Sequence, residues 1–252
     1  MKDKLNIIVN ADDFGANPSI NRAIVNSMNS GIVDSTTIMA NMNGFEEAID
    51  LAYSNNLTAK IGVHLVLTEG APLTKEIKSI KYLFNKREYT SRKLIRKCFF
   101  LSAHEKQLVF KEYAAQIEKV RRAGISITHL DTHHQIHDNW PIMKIIMDLL
   151  KTYKIPHMRI LNNLEKSSHF YKNAYRNFCV SYIKKQGLHF TDCLGNQNDF
   201  AKCIQKNPRL LVNSTVEVMV HPDYNTEGEI VDKIGGKQLD FSFKKLPLPQ
   251  LS

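Results

Sequence analysis

The chain has 252 residues, of which 43% are hydrophobic, so it can bury a substantial core and is not a disordered segment. Its formal net charge is +9, and residues 75–122 carry the whole excess, with 14 Lys and Arg against 5 Glu. The apolar run after Lys2 and Lys4 covers only Leu5–Val9, too short for a signal sequence, and no later stretch approaches a membrane span, so the chain reads as cytoplasmic.

In chain order, Leu5–Asn10 (LNIIVN) reads as a buried strand that ends at Asp12-Asp13. Asn17-Pro18-Ser19 opens a helix that Gly31 stops. Ser35–Ala40 is β-branched and reads as a strand, residues 44–55 as a helix, and Lys60–Leu67 (KIGVHLVL) as a third strand. Residues 68–104 are irregular and basic, and are expected to insert over one end of the sheet. A helix over 105–123, a strand over 125–130, a helix over 141–154 and a strand over 157–161 follow. The remainder predicts a helix over 170–186, a strand over 188–193 and a strand over 215–220. Alternating β and α units with no linker predict one domain over 1–252. The length suits a (β/α) barrel, and an open doubly wound sheet is the alternative.

Cys98, Cys179, Cys193 and Cys203 show no CxxC spacing, so reduced, partly or wholly buried thiols are expected. The basic 75–122 segment is first a solvated lysine-rich face, and second a patch for an anionic glycan or nucleic acid beside the cleft. Tyr82, Phe84, Tyr89, Phe99 and Phe100 interleave with its charges, yet no nucleic-acid motif accompanies them.

Four polar clusters sit at or beyond strand ends: Asp12-Asp13, His64, His129 to His134, and His221. In a (β/α) barrel those ends converge on one face, where active sites form. Alone, an Asp pair after a strand is a turn or cap signal, and a His inside an apolar strand is a core residue. The run His129, His133, His134 and His137 places four of ten histidines within nine residues, which favours function over a solvated loop. Convergent carboxylates and imidazoles make a catalytic metal site, one carboxylate facing the ion and another its water. No GxSxG, P-loop, GxGxxG or HExxH motif occurs.

These residues fall in blocks that resemble the YdjC-like carbohydrate deacetylases, which include chitooligosaccharide deacetylases. The blocks are Asn10–Gly15 (NADDFG), Gly31–Thr37, Ile61–Leu65 with Leu67–Gly70, Thr128–His134 (THLDTHH) and Val216–Pro222. The resemblance implies a deformed (β/α) barrel, here with the irregular basic insertion after the third strand. It also implies a divalent ion, magnesium, and hydrolysis of the acetyl group of an N-acetylated sugar. Carried onto matching positions, Asp13, His64 and His133 would be metal ligands, Asp12 the general base and His221 the acid for the leaving amine, across the ion from Asp12. His134 and His137 would support ligand His133. Ligand chemistry alone would suit zinc better. Gln135 stands where the family often has another His. A metal-dependent phosphoester hydrolase, or a glycan- or nucleic-acid-binding relative without turnover, remain the competing readings. The partner expected is a saccharide, with no membrane, nucleic acid disfavoured and a homodimer open.

Overall fold

The computed structural model describes residues 5–85, 88–89, 100–164, 169–206, 208–234 and 236–239. Its elements run β1 (Asn6–Phe14), α1 (Pro18–Asn29), β2 (Ser35–Ile38), α2 (Phe45–Ser54) and β3 (Ile61–Leu65). Next come β4 (Phe84–Asn85), β5 (Glu88–Tyr89), α3 (Ala103–Arg122), β6 (His129–Thr132), α4 (Trp140–Tyr153), β7 (His157–Met158) and α5 (Phe170–Lys185). The chain continues with β8 (Cys193–Asn196), α6 (Gln197–Lys206), β9 (Thr215–Val220), β10 (Pro222–Tyr224), β11 (Ile230–Asp232) and β12 (Lys237–Gln238). Among the described residues no helix is long and apolar enough to cross a membrane.

Seven parallel strands form one sheet in the order β7-β6-β3-β2-β1-β9-β8. The sheet curls until its edges meet. His157 of β7 pairs in parallel with His189, just ahead of β8, and the Met158 amide donates to the His189 carbonyl at 3.1 Å. The result is a deformed barrel, as the resemblance implies. Outward residues such as Val9, Ala11, Val63, Leu65, Leu130, Val216 and Val218 are buried against helix residues including Ile24, Phe45, Ala48, Ile146 and Leu149. Each large aliphatic side chain so buried contributes about 1.5–3 kcal/mol. Local signals set the helix starts. Asn17 accepts the Ile20 amide hydrogen bond at the start of α1, with Pro18 following it, and Ser102 and Glu105 form a capping box on α3.

The inside of the barrel is different. Asn10, Asp12, Thr37, His64, Asp131, Arg159 and Glu217 are buried there, alternating along the strands with the outward apolar set. Gly62 stands where a Cβ would come within 2.7 Å of the His129 ring, so its missing side chain makes room for that imidazole.

Several boundaries differ from the sequence expectation. β1 does not stop at Asn10 but continues through the Asp pair to Phe14. β6 starts at His129, not Ile125; Ile125 is buried but lies ahead of the sheet pairing. β8 covers 193–196 where 188–193 was expected. Helix α6 and the small antiparallel sheet β10-β11-β12 were not anticipated. Within the insertion after β3, the described part forms two short 3-10 turns and the β4-β5 pair. Cys179 and Cys203 are buried and Cys193 is half-buried, none of the three in a disulfide, while Cys98 lies outside the described residues.

Candidate active site

A cavity of about 390 Å³ opens at the carboxyl ends of the strands. Asp12, Asp13, Glu69, His133, His134, Gln135, His221 and Lys233 are among its walls. Consecutive strand residues normally point to opposite faces, yet Asp12 and Asp13 both reach this cavity. The cause is an irregularity in the β1-β2 register between Ala11 and Phe14, where Asp13 takes a left-handed φ of 71°.

Asp13 Oδ1 lies 3.3 Å from His64 Nε2 and 3.2 Å from His133 Nδ1, and the two nitrogens lie 3.3 Å apart. Neither contact gives Asp13 Oδ1 hydrogen-bond geometry, so it is a buried oxygen with no hydrogen-bond partner. Both imidazoles are oriented from behind. His64 Nδ1 meets Asp131 Oδ1 at 2.7 Å, and Thr37 donates to the other Asp131 oxygen at 3.0 Å. His133 Nε2 meets Glu69 Oε2 at 3.0 Å. With N–H groups on those outer nitrogens, the inner nitrogens present lone pairs to one point, as metal-ligating histidines do. Donors this close can all reach one ion at the roughly 2.0–2.2 Å bonds that imidazole and carboxylate make. The three residues form a cluster able to hold a metal ion. Asp12, His64 and Asp131 also lie close together, but Arg159 and Thr37 already occupy those carboxylates.

Without a cation, charge on the imidazoles balances the Asp13 carboxylate. Burial opposes charge on His64, but Asp131 and Asp13 outweigh it and raise its pKa to about 10. Burial likewise opposes ionisation of Asp13, and contacts from His133 and His64 hold its carboxyl well below the usual carboxylate range. Glu69 is drawn down mainly by its hydrogen bond from His133.

Arg159, one residue past β7, is fully buried and meets three carboxylates. Its Nη1 and Nη2 donate to the two Asp12 oxygens at 2.7 and 2.6 Å. Nη1 also meets Asp131 Oδ2 at 2.7 Å, and Nε donates to Glu217 Oε1 at 2.6 Å. Asn10 Nδ2 adds a bond to Asp12 Oδ1 at 3.0 Å. Burial opposes ionisation of Asp131, but Arg159 and His64 hold it well below the usual range. For Glu217 burial wins and its pKa is raised despite Arg159.

His221 Nε2 lies 3.8 Å from Asp12 Oδ2, and its Nδ1 lies 3.8 Å from Asp232 Oδ1 on β11. The sequence expectation put His221 across the cluster from Asp12; the structure sets them side by side. Burial lowers the His221 pKa, but Asp232, Asp12 and Asp13 reverse this and raise it.

The dense histidine run is split by the fold. Only His133 joins the cluster. His134 packs tilted against the His133 ring, with centroids 3.9 Å apart and planes 33° apart. His137 is buried and braces the turn, bonded to Thr132 Oγ1 at 2.6 Å and to the Ile160 carbonyl at 3.3 Å. His129 faces the opposite mouth of the barrel. Among the described residues, none from 75–122 lines this cavity, so the expected basic border is not found there; residues 86–87 and 90–99 lie outside the description. Sequence reasoning missed Arg159, Glu69 as a partner of His133, and Asp232. Glu69 lay within a quoted motif, and Arg159 stood in an apolar stretch where an unpaired Arg would be costly to bury.

The chain is 29% identical to a carbohydrate deacetylase of Brevibacillus brevis over 251 residues, covering 98% of this chain and 93% of that protein. It is 30% identical to a carbohydrate deacetylase of Oceanobacillus iheyensis over 225 residues, covering 88% and 87%. In fold it is similar to a crystal structure described as a proposed cellobiose-phosphate cleavage protein from Enterococcus faecalis V583. That match has a TM-score of 0.70 at 22% identity and covers 89% of this chain and 83% of the other. The profile of the YdjC-like proteins matches residues 6–243, and the chain belongs to that family.

Proposed function

We propose that this protein is a metal-dependent carbohydrate deacetylase that hydrolyses the N-acetyl group of a sugar or oligosaccharide, within one domain. The observation that carries the reading is the triangle of Asp13 Oδ1, His64 Nε2 and His133 Nδ1 beside a fixed second carboxylate and an imidazole. The names of the full-length relatives supply the acetyl group and the carbohydrate.

In this reading Asp13, His64 and His133 hold a divalent ion, which when bound polarises the acetyl carbonyl and acidifies water. Asp12 takes the proton of the attacking water. Arg159 fixes the plane of the Asp12 carboxylate; Oδ1 accepts from both Arg159 Nη2 and Asn10 Nδ2, while Oδ2, bonded by Arg159 Nη1, keeps a second lone pair for that proton. His221, whose acidic neighbours favour its protonated form against burial, gives a proton to the departing nitrogen. Water adds to the acetyl carbon, the C–N bond breaks, and acetate and a free amine leave. Asp232 orients His221 through Nδ1, leaving Nε2 for the substrate.

Acetate release from a panel of N-acetylated saccharides, with and without chelator, tests this proposal. Turnover lost on chelation and restored by magnesium or zinc is expected, and the better ion identifies the cofactor. Turnover of phosphoesters with none of the acetylated sugars would reject it.

A further inference from the structure

The amino-terminal mouth of the barrel holds a second cavity of about 580 Å³, whose walls include Arg159 and Glu217. Three histidines line it. His129 opens β6, and its strand partner in register is His157 at the start of β7. His157 is in turn the parallel bridge partner of His189. Paired residues on neighbouring strands share a face. Three imidazoles therefore stand in one row across the seam where the barrel closes, and all three face the cavity.

The His157 and His189 ring centroids lie 5.4 Å apart. His64 and His133 have the same 5.4 Å separation at the other mouth, with facing nitrogens 3.3 Å apart. His129 Nδ1 is engaged by Thr128 Oγ1 at 2.8 Å, which leaves Nε2 as its remaining donor. Gly62 gives the His129 ring its place inside the barrel. The electrostatics favour the neutral, metal-ligating form of His129 and His157. Burial brings His129 down to about 4, and burial with the neighbouring His189 lowers His157.

We propose that His129, His157 and His189 form a second metal site, separate from the reactive cluster, for a transition ion that favours imidazole, such as zinc. Among the described residues, only the Asp-His clusters at the carboxyl mouth have ligand atoms already within 4.8 Å of one another. Binding here turns the exposed His157 and His189 side chains toward His129 Nε2. Arg159 would keep the two sites apart, since its guanidinium is fully committed to Asp12, Asp131 and Glu217.

The test is zinc stoichiometry of the full chain, by equilibrium dialysis and elemental analysis. A His157→Ala/His189→Ala variant is expected to bind one zinc fewer than the parent protein. Equal numbers in the two proteins overturn the site. Should that variant lose its fold by circular dichroism, His189→Gln carries the same test: a weakened second zinc is expected, and unchanged binding rejects the site. His129→Gln checks the third ligand, and unaltered zinc affinity in it overturns the three-histidine assignment. A His133→Ala arm reports on the reactive cluster separately, so failure of one site is distinguishable from failure of the other.

Discussion

Arg159 grips Asp12 through both guanidinium arms, at 2.7 and 2.6 Å, across 147 residues of chain. The same group neutralises Asp131 and Glu217, so one cation holds three carboxylates inside the barrel. It therefore links folding to the proposed base and, through Asp131 and His64, to the metal-ligand cluster.

Removing this cation leaves uncompensated buried charge. Arg159→Met is expected to lower the free energy of unfolding by about 3–5 kcal/mol, the cost of breaking a buried ion pair from one side. Arg159→Lys keeps the charge but cannot bond both Asp12 oxygens in the same fork, so it should lose less stability and still slow turnover. Urea unfolding and acetate release measure the two effects. A loss below about 1 kcal/mol in Arg159→Met, the scale of an exposed pair, would count against the network.

The two neighbouring aspartates should separate cleanly. Asp12→Asn is expected to reduce turnover by about 10²- to 10⁴-fold, the range for a lost general base, with metal content nearly unchanged. Asp13→Asn should lose the ion itself. Metal analysis alongside kinetics decides, and the opposite pattern would reverse the assignment.

His221 should set the alkaline limb of activity. Its pKa is raised in the folded protein, and the protonated form is the acid, so activity is present below that pKa and lost as pH rises through it. Asp232→Asn removes a group that raises it and should move the limb to lower pH. His221→Ala should slow amide hydrolysis strongly and hydrolysis of an activated aryl acetate much less. Equal losses on both substrates would point to oxyanion stabilisation instead.

Metal loading should release protons. In the metal-free protein, against the effect of burial, Asp131 and Asp13 raise the His64 pKa to about 10, so its ring carries a proton on both nitrogens at neutral pH. An ion bound at Nε2 must displace the proton there. Calorimetric titration in buffers of different ionisation enthalpy should show at least one proton released per ion at pH 7, with affinity falling as pH is lowered. Zero release would contradict the ligand set.

Much was legible from residue order. The apolar runs at 61–65 and 215–220 are buried in strands, because their outward side chains meet the helices, whereas in 5–9 Val9 is buried and Ile8 is exposed. Asp12, Asp13, His64, His133 and His221 could be grouped because parallel strands bring their carboxyl ends to one face. Their sequence separation did not hide them.

Other features could not be read this way. A polar residue in a strand signals solvent when sequence is read by hydrophobic period. In this barrel many inward positions are polar or charged, so β1 looked like a loop at Asp12-Asp13 and β6 looked like one at Asp131-Thr132. Whether such residues are tolerated depends on partners that satisfy them. Those partners come from distant segments: Arg159 for Asp12, Asp131 for His64, Asp232 for His221. Local propensity and periodicity report only on neighbours in the chain. Pairing of buried charges is a property of the closed barrel, where desolvation makes each missing partner costly and only the assembled strands supply one.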